Sequence, residues 1–376
     1  MKQTFDEFVR LMHDDAIVKG IPAHGTFSLT SRCNLHCRMC FICNPSIAAE
    51  ELSGDQWLDI MKQARDAGMT FALITGGEPL LHKDFWQIYT GLRKLGVYVT
   101  VNSNGTTITP EIVDMFKKNP PVRVAISVYG ASPEAYEKVT GSAAAYEKLV
   151  QSLELLRDRG INLRLRTMLT KDIAPDMVNI VKFILSYGVP FSYGNYIMPS
   201  IWENRNDYKS QRLSGQEIAE YTEIIENAIK EYHDTHGNPR AHISEKVHEG
   251  HEAQIAKPKD PKRLELHRLA NKIKSKTAFK CGAGLSHFSV THDGFIHLCE
   301  LTLDPMFDLK QMSFKEGFKR IGEVIAGIPE CAECVNCPDR AKCMPCPPRH
   351  FAETGSYDKA ADYVCEYAKA GVKLLE

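Results

Sequence analysis

The sequence is short of several things, and each absence narrows what its 376 residues can do. No stretch approaches the roughly 20 apolar residues needed to span a bilayer. The amino terminus, MKQTFDEFVRLMHDDAIVKG, has no unbroken apolar core of signal-peptide length. A cytoplasmic protein with no membrane partner is therefore expected. There is no charge excess either: 46 Lys and Arg against 47 Asp and Glu leave a formal net charge of −1, so no global basic field draws the chain to nucleic acid. Cysteine is missing from the whole interval between Cys43 and Cys281, although the chain has 12. Cytosolic thiols are kept reduced, so two separated groups of cysteines point to metal or redox chemistry rather than a disulfide framework.

The cysteine-free middle carries a repeated strand and helix pattern. Strand-like runs occur at GTFSLT (25–30), TFALIT (70–75), VYVTVNSN (97–104), VRVAISVYG (122–130), NLRLRTML (162–169) and PFSYGNYI (190–197). Five of them lead into helical patterns. Trp57, Ile60, Met61 and Ala64 share one helix face, and Phe85, Ile88, Tyr89 and Leu92 repeat it before Gly96. The fold class this predicts is α/β, a partial (β/α)6 TIM-like barrel over residues 25–200 behind an N-terminal helical extension, 1–24. Chemistry is expected on the loops at the carboxyl ends of the strands.

Residues 201–280 read differently, as a charged helical connector able to close over the barrel mouth. Its His242, His248 and His251 lack the spacing and ordered context of a clean ligand pair and are expected on solvated helix faces or linker.

CNLHCRMC, at 33–40, sits on the loop after the first strand. The spacing C-x3-C-x2-C lets one loop bring Cys33, Cys37 and Cys40 to three corners of an iron–sulfur cube, leaving the fourth iron without a protein ligand. Zinc is the rival, although its loops more often pair two C-x2-C units and close the site. At the end of the second strand comes TGGEP (75–79). Gly76 and Gly77 allow a close backbone approach, and Glu78 offers a carboxylate to a ligand's ammonium group; taken alone, the motif can also be only a turn. Cys43 is left over, either as a buried structural thiol or as a hydrogen-atom donor.

CNLHCRMC after one strand and TGGEP after the next resemble the radical S-adenosylmethionine superfamily, over about Thr26 to Ser200. The resemblance implies that Cys33, Cys37 and Cys40 bind a [4Fe–4S] cluster whose open iron is chelated by S-adenosylmethionine. It places Gly76, Gly77 and Glu78 at that cofactor, with Ser127 at its ribose. Asn104 and Arg166 are further polar contacts, or else cap strand ends. Met39 stands where the family often has an aromatic residue.

The second cysteine group, Cys281, Cys299, Cys334, Cys337, Cys343, Cys346 and Cys365, with Gly294 five residues before Cys299, resembles the SPASM domain of auxiliary iron–sulfur clusters. Residues 281–376 are expected to form it, with SVTHDGFIHLC as a β-hairpin. The resemblance assigns Cys281, Cys299 and Cys346 to auxiliary cluster I and Cys334, Cys337, Cys343 and Cys365 to auxiliary cluster II, three [4Fe–4S] clusters in all. Two features depart from the pattern. The last spacing is x2 rather than x3, and Cys331 is extra, a candidate for the fourth position on cluster I unless that iron stays open for substrate. A zinc ribbon is the alternative, since two C-x2-C pairs fit one zinc. Glu300, directly after Cys299, matches an acidic catalytic base of sulfatase maturases.

The implied activity is cleavage of S-adenosylmethionine to a 5′-deoxyadenosyl radical and oxidative modification of a ribosomally made peptide or a protein. Crosslinking, thioether formation and side-chain oxidation all fit. A small-molecule oxidoreductase and a peptide epimerase are the alternatives, and a non-catalytic electron carrier fits TGGEP poorly. A flavodoxin- or ferredoxin-type reductant is implied. Only about 25 residues precede the first strand, too few for a fused peptide-recognition domain, so a separate recognition protein or the barrel itself is expected to read the substrate.

Overall fold

In the computed structural model the described residues are 5–42, 51–201, 208–237, 260–343 and 345–372; Cys43, His242, His248 and His251 lie outside them. The six expected strands form as β1 (His24–Ser28), β2 (Phe71–Thr75), β3 (Tyr98–Ser103), β4 (Arg123–Ser127), β5 (Leu163–Met168) and β6 (Phe191–Gly194). They pair in parallel, in chain order, as a partial TIM-like barrel requires.

The intervening helices follow from local sequence. At Gly54–Asp66 the Ser53 hydroxyl accepts the Gln56 N–H while the Gln56 side chain accepts the Ser53 N–H, a reciprocal cap that starts the helix at one place. Trp57, Ile60, Met61 and Ala64 are then all turned into the core, and the helix Phe85–Lys94 buries Phe85, Ile88, Tyr89 and Leu92 likewise. One helix was not anticipated. Pro133–Thr140 follows β4, capped by Ser132 and stopped at Gly141, whose φ of 76° suits glycine.

The larger surprise is at the other edge of β1. Strands β7 (His287–Val290), β8 (Phe295–Cys299) and β9 (Thr302–Asp308) extend the same sheet, giving the order β6-β5-β4-β3-β2-β1-β7-β8-β9. The expected hairpin is present, with β7 and β8 antiparallel across a turn at Gly294. β7 pairs in parallel with β1, His24 opposite His287 and Phe27 opposite Val290. The sheet therefore runs through the expected boundary at residue 281. Aromatic packing joins the two parts: the Phe288 ring lies 5.8 Å from Phe27 and 4.7 Å from Phe314, on the helix Phe314–Gly327.

Helix α1 (Phe5–Lys19) packs against the helix Pro261–Lys274, with His267 Nδ1 2.9 Å from Asp14 Oδ2. The segment after β6 is fastened by Arg212. Its guanidinium pairs with Glu353, donates to Ile197 O at 2.8 and 2.9 Å, and stacks 3.9 Å over the Tyr363 ring. Such a nearly buried pair holds because each charge also has neutral partners; Tyr196 Oη donates to Glu353 at 2.7 Å.

Phe288→Ala should therefore cost about 3–5 kcal/mol, the usual loss for emptying a buried aromatic site. Chemical denaturation would measure it, and a loss below about 1 kcal/mol would mean that the sheet extension is not packed through this ring.

Candidate functional site

The loop after β1 runs through Leu29, Thr30, Ser31 and Arg32 before reaching Cys33. The two glycines after β2 dock on that run. Gly77 N–H donates to Thr30 O and Glu78 N–H to Arg32 O, both at 2.8 Å. A Cβ on Gly76 would overlap Thr30 O, and one on Gly77 would overlap Arg32 O. Gly76 and Gly77 were expected to let the backbone approach a ligand. In the structure the close neighbour is the backbone of the cysteine loop itself, which is why glycine is needed twice.

Glu78 is fully buried. Its carboxylate accepts from Ser103 Oγ at 2.9 Å, from Asn104 N at 2.7 Å and from Leu80 N at 3.3 Å, all neutral donors. Burial pushes it up to about 7, against the pull of these bonds. A buried carboxylate held by neutral donors is well suited to receive a cationic or N–H-bearing ligand group.

Asn104 braces the cysteine loop. Its Nδ2 donates to Asn34 Oδ1 at 2.9 Å and lies 3.6 Å from Cys33 Sγ, while Asn34 Nδ2 donates to Thr106 Oγ1 at 2.7 Å. On the far side His36 N–H donates to Thr140 O at 2.9 Å, and Arg38 pairs with Asp172 at 2.7 Å. The loop is thus fixed from two sides, and the unanticipated helix Pro133–Thr140 supplies one of them.

The three thiols sit near enough to oppose one another's ionisation. Cys33 is pushed up to about 11, first by burial and also by the Cys40 charge. Cys37 is raised well above an ordinary thiol by burial, then by Cys40 and Cys33. Three crowded, desolvated thiols are costly as thiolates unless a cation binds them, and iron is such a cation. The donor set fits a cluster.

The comparisons with known proteins agree with this geometry. Residues 27–184 match the family described as the radical SAM superfamily. This stretch is a radical SAM domain.

The chain is 26% identical over 175 residues to an AdoMet-dependent heme synthase of Methanosarcina barkeri, covering 46% of this chain and 50% of that one. It is 34% identical over 139 residues to a PqqA peptide cyclase of Streptomyces rochei, covering 37% and 38%. The chain spans about half the length of the curated relatives it matches. Among solved structures, Streptococcus suis SuiB bound to its precursor peptide SuiA superposes with a TM-score of 0.70 at 16% identity, over 96% of this chain and 81% of that one. That likeness is one of fold.

Within the radical SAM domain, Ser127, the last residue of β4, pairs in register with Arg166 of β5. The Tyr129 hydroxyl reaches Ser127, and its ionisation is opposed by burial, then by the charge of Cys37. Tyr129 escaped the sequence reading, although its position two residues past Ser127 in ISVYG puts it at the same strand end. Met39 is buried in the core.

The second cysteine group falls into two neighbourhoods. Cys331 is buried, and its sulfur lies with Cys334 and a nitrogen of His350, all within 4.8 Å of one another. Cys334 is pushed up to about 12 by burial, then by Cys331, Cys365 and Cys343. Cys365 feels Cys337, and Cys343 feels both. Cys331 therefore lies beside Cys334 and within reach of Cys365. Cys331 sits at the turn before the helix Ala332–Val335. Cys299 and Cys346 both flank Tyr357, and Cys281 is exposed.

Glu300 lines a small, partly open pocket with Ser28, Thr30, Ser31, Ile201, His292 and His297. The first three lead directly to Cys33, so Glu300 faces the base of the cysteine loop. His297 is fully buried and pushed down to about 4 by desolvation. Its Nδ1 lies 3.0 Å from Cys299 O and 2.9 Å from Thr302 O, so it donates to the turn that carries Glu300. His297 was not singled out in the sequence, because a histidine on an alternating strand carries no mark of a clasp.

Glu78→Gln should weaken S-adenosylmethionine binding to the iron-loaded protein by about ten- to a hundredfold, the scale of one hydrogen bond to a charged group. Equilibrium binding checks this, with iron content unchanged; unaltered affinity would assign Glu78 to loop packing alone.

Proposed function

We propose that the chain is a radical S-adenosylmethionine enzyme that oxidatively modifies a ribosomally made peptide or a protein side chain. The observation that carries this reading is the pocket shared by Glu300 and the strand end that leads to Cys33. A substrate carbon held at that opening would lie beside both the cysteine loop and a carboxylate.

Each residue has a distinct part. Cys33, Cys37 and Cys40 would hold one [4Fe–4S] cluster, and Gly76, Gly77 and Glu78 would orient the amino-acid portion of S-adenosylmethionine against it. Asn104 keeps the cysteine loop in place, while Ser127 and Arg166 offer polar groups at neighbouring strand ends. When bound, this cluster and cofactor supply a 5′-deoxyadenosyl radical that takes a hydrogen atom from an unactivated carbon. Glu300 then holds the proton that the oxidised substrate loses. His297 fixes the turn that aims Glu300. Cys281, Cys299 and Cys346 would hold one auxiliary cluster, which would accept the electron that the substrate radical gives up with that proton. Cys334, Cys337, Cys343 and Cys365, with Cys331 beside them, would hold the other.

A peptide substrate is supported by the names of similar proteins, a PqqA peptide cyclase and SuiB solved with its precursor peptide. The match to a heme synthase favours a second reading, a small-molecule substrate. Under either reading a flavodoxin- or ferredoxin-type protein is the electron source, and a separate recognition protein would present a peptide. No helix among the described residues is long and apolar enough to cross a membrane.

Anaerobically reduced protein should convert S-adenosylmethionine to 5′-deoxyadenosine and methionine, and Cys33→Ala, Cys37→Ala and Cys40→Ala should each abolish this. With a precursor peptide encoded beside the gene, Glu300→Gln should preserve 5′-deoxyadenosine formation and slow product formation by roughly a hundredfold or more. Mass spectrometry of the peptide reads the product. Cleavage that survives in the cysteine variants would refute the radical site, and product formed at the wild-type rate by the Glu300 variant would make that residue structural.

A further inference from the structure

At the opposite end of β1 from the cysteine loop, three imidazoles meet from distant parts of the chain. His13 comes from α1, His24 opens β1 and His287 opens β7. One ring nitrogen of each lies within 4.8 Å of the others. We propose that His13, His24 and His287 form a binding site for one divalent transition metal of the zinc class, clamping α1 and β7 to the first barrel strand.

The backbone builds the site. His24 and His287 are directly paired across parallel strands, and His24 N–H donates to Ser286 O at 3.0 Å. Their rings stack with centroids 4.4 Å apart, and the His13 ring meets that of His287 edge-on at 4.7 Å. A tetrahedral zinc with nitrogen ligands at about 2.0–2.1 Å needs nitrogens roughly 3.3 Å apart, so the stacked His24 and His287 rings must rotate for their in-plane lone pairs to meet on one ion. Gly282 keeps the space open, since a Cβ there would overlap the rings of both His13 and His287.

The chemistry of the rings suits a metal. His24 Nε2 is buried and has no hydrogen-bond partner among the described residues. Ser286 Oγ lies 3.1 Å from His13 Nδ1 and 3.2 Å from His287 Nδ1. One hydroxyl between two imidazoles sets their orientation, the outer-sphere support that ligating histidines generally have. All three rings are half-buried, so an ion can enter from solvent. Three nitrogen ligands leave a fourth corner for water, and neutral imidazoles suit zinc better than calcium or magnesium. Packing alone explains the stack but leaves the buried His24 Nε2 without a partner among the described residues.

Cysteines elsewhere also bind zinc, so the test uses protein reconstituted anaerobically with iron and sulfide. It is incubated with excess zinc chloride and passed over chelating resin. About one zinc per chain should be retained, with a first shell of nitrogen or oxygen near 2.0 Å and no sulfur near 2.3 Å in zinc-edge X-ray absorption. His287→Phe, which keeps an aromatic ring against His24, and His13→Gln should each cut retained zinc at least tenfold while iron content is unchanged. Iron-loaded wild type that retains no zinc overturns the proposal, as does zinc with a sulfur shell. If either variant misfolds, the wild-type spectrum still decides by its ligand atoms.

Discussion

Two backbone hydrogen bonds, from Gly77 N–H to Thr30 O and from Glu78 N–H to Arg32 O, set the loop after β2 against the chain that leads to Cys33. The contact is so close that neither Gly76 nor Gly77 has room for a side chain. Because the glycines are pressed onto this run, Glu78 falls inward to meet Ser103 and the Asn104 amide at the end of β3. Asn104 then reaches back to Asn34 in the cysteine loop. Three successive strand ends interlock around one buried carboxylate. Both ingredients of the proposed chemistry, the thiol triad and the cofactor cradle, hang on that docking.

The site is costly by itself. Burial raises Glu78 to about 7, and the thiols of Cys33 and Cys37 resist ionisation through burial and mutual repulsion. The surroundings hold the loop in place: Val139 and Thr140 bind its backbone, and Asp172 pairs with Arg38. Metal binding coupled to folding works in this way, with an expensive arrangement of donors kept in place by neighbours and relieved when cations arrive. The cysteine-rich end is supported comparably. β7 continues the barrel sheet, and Phe288 sits among Phe27, Phe314 and Phe318.

Much of this was legible in the sequence because the signals are local. Alternating apolar residues marked the six barrel strands, helix faces such as Trp57, Ile60, Met61 and Ala64 marked their partners, and C-x3-C-x2-C with TGGEP marked two adjacent loops. What escaped depends on partners far along the chain. Nothing near His287 says that it will pair with His24, so the sheet crossing the expected boundary at 281 was invisible. Spacing gives no depth of burial, so the buried place of Cys331 beside Cys334 was not legible. Arg212, the clasp between the segment after β6 and Glu353, looked like one more charge in a charged connector. The glycines of TGGEP were correctly expected to permit close approach, but only the structure names what approaches them.

Iron and sulfide analysis tests the central claim, that both cysteine groups are built as cluster ligands. Wild-type protein reconstituted without air should hold on the order of 12 iron per chain, three cubanes of about four irons each, and the Cys33→Ala, Cys37→Ala, Cys40→Ala triple variant about 8. A reproducible wild-type value near four iron, with zinc in the remaining cysteines, would contradict the account.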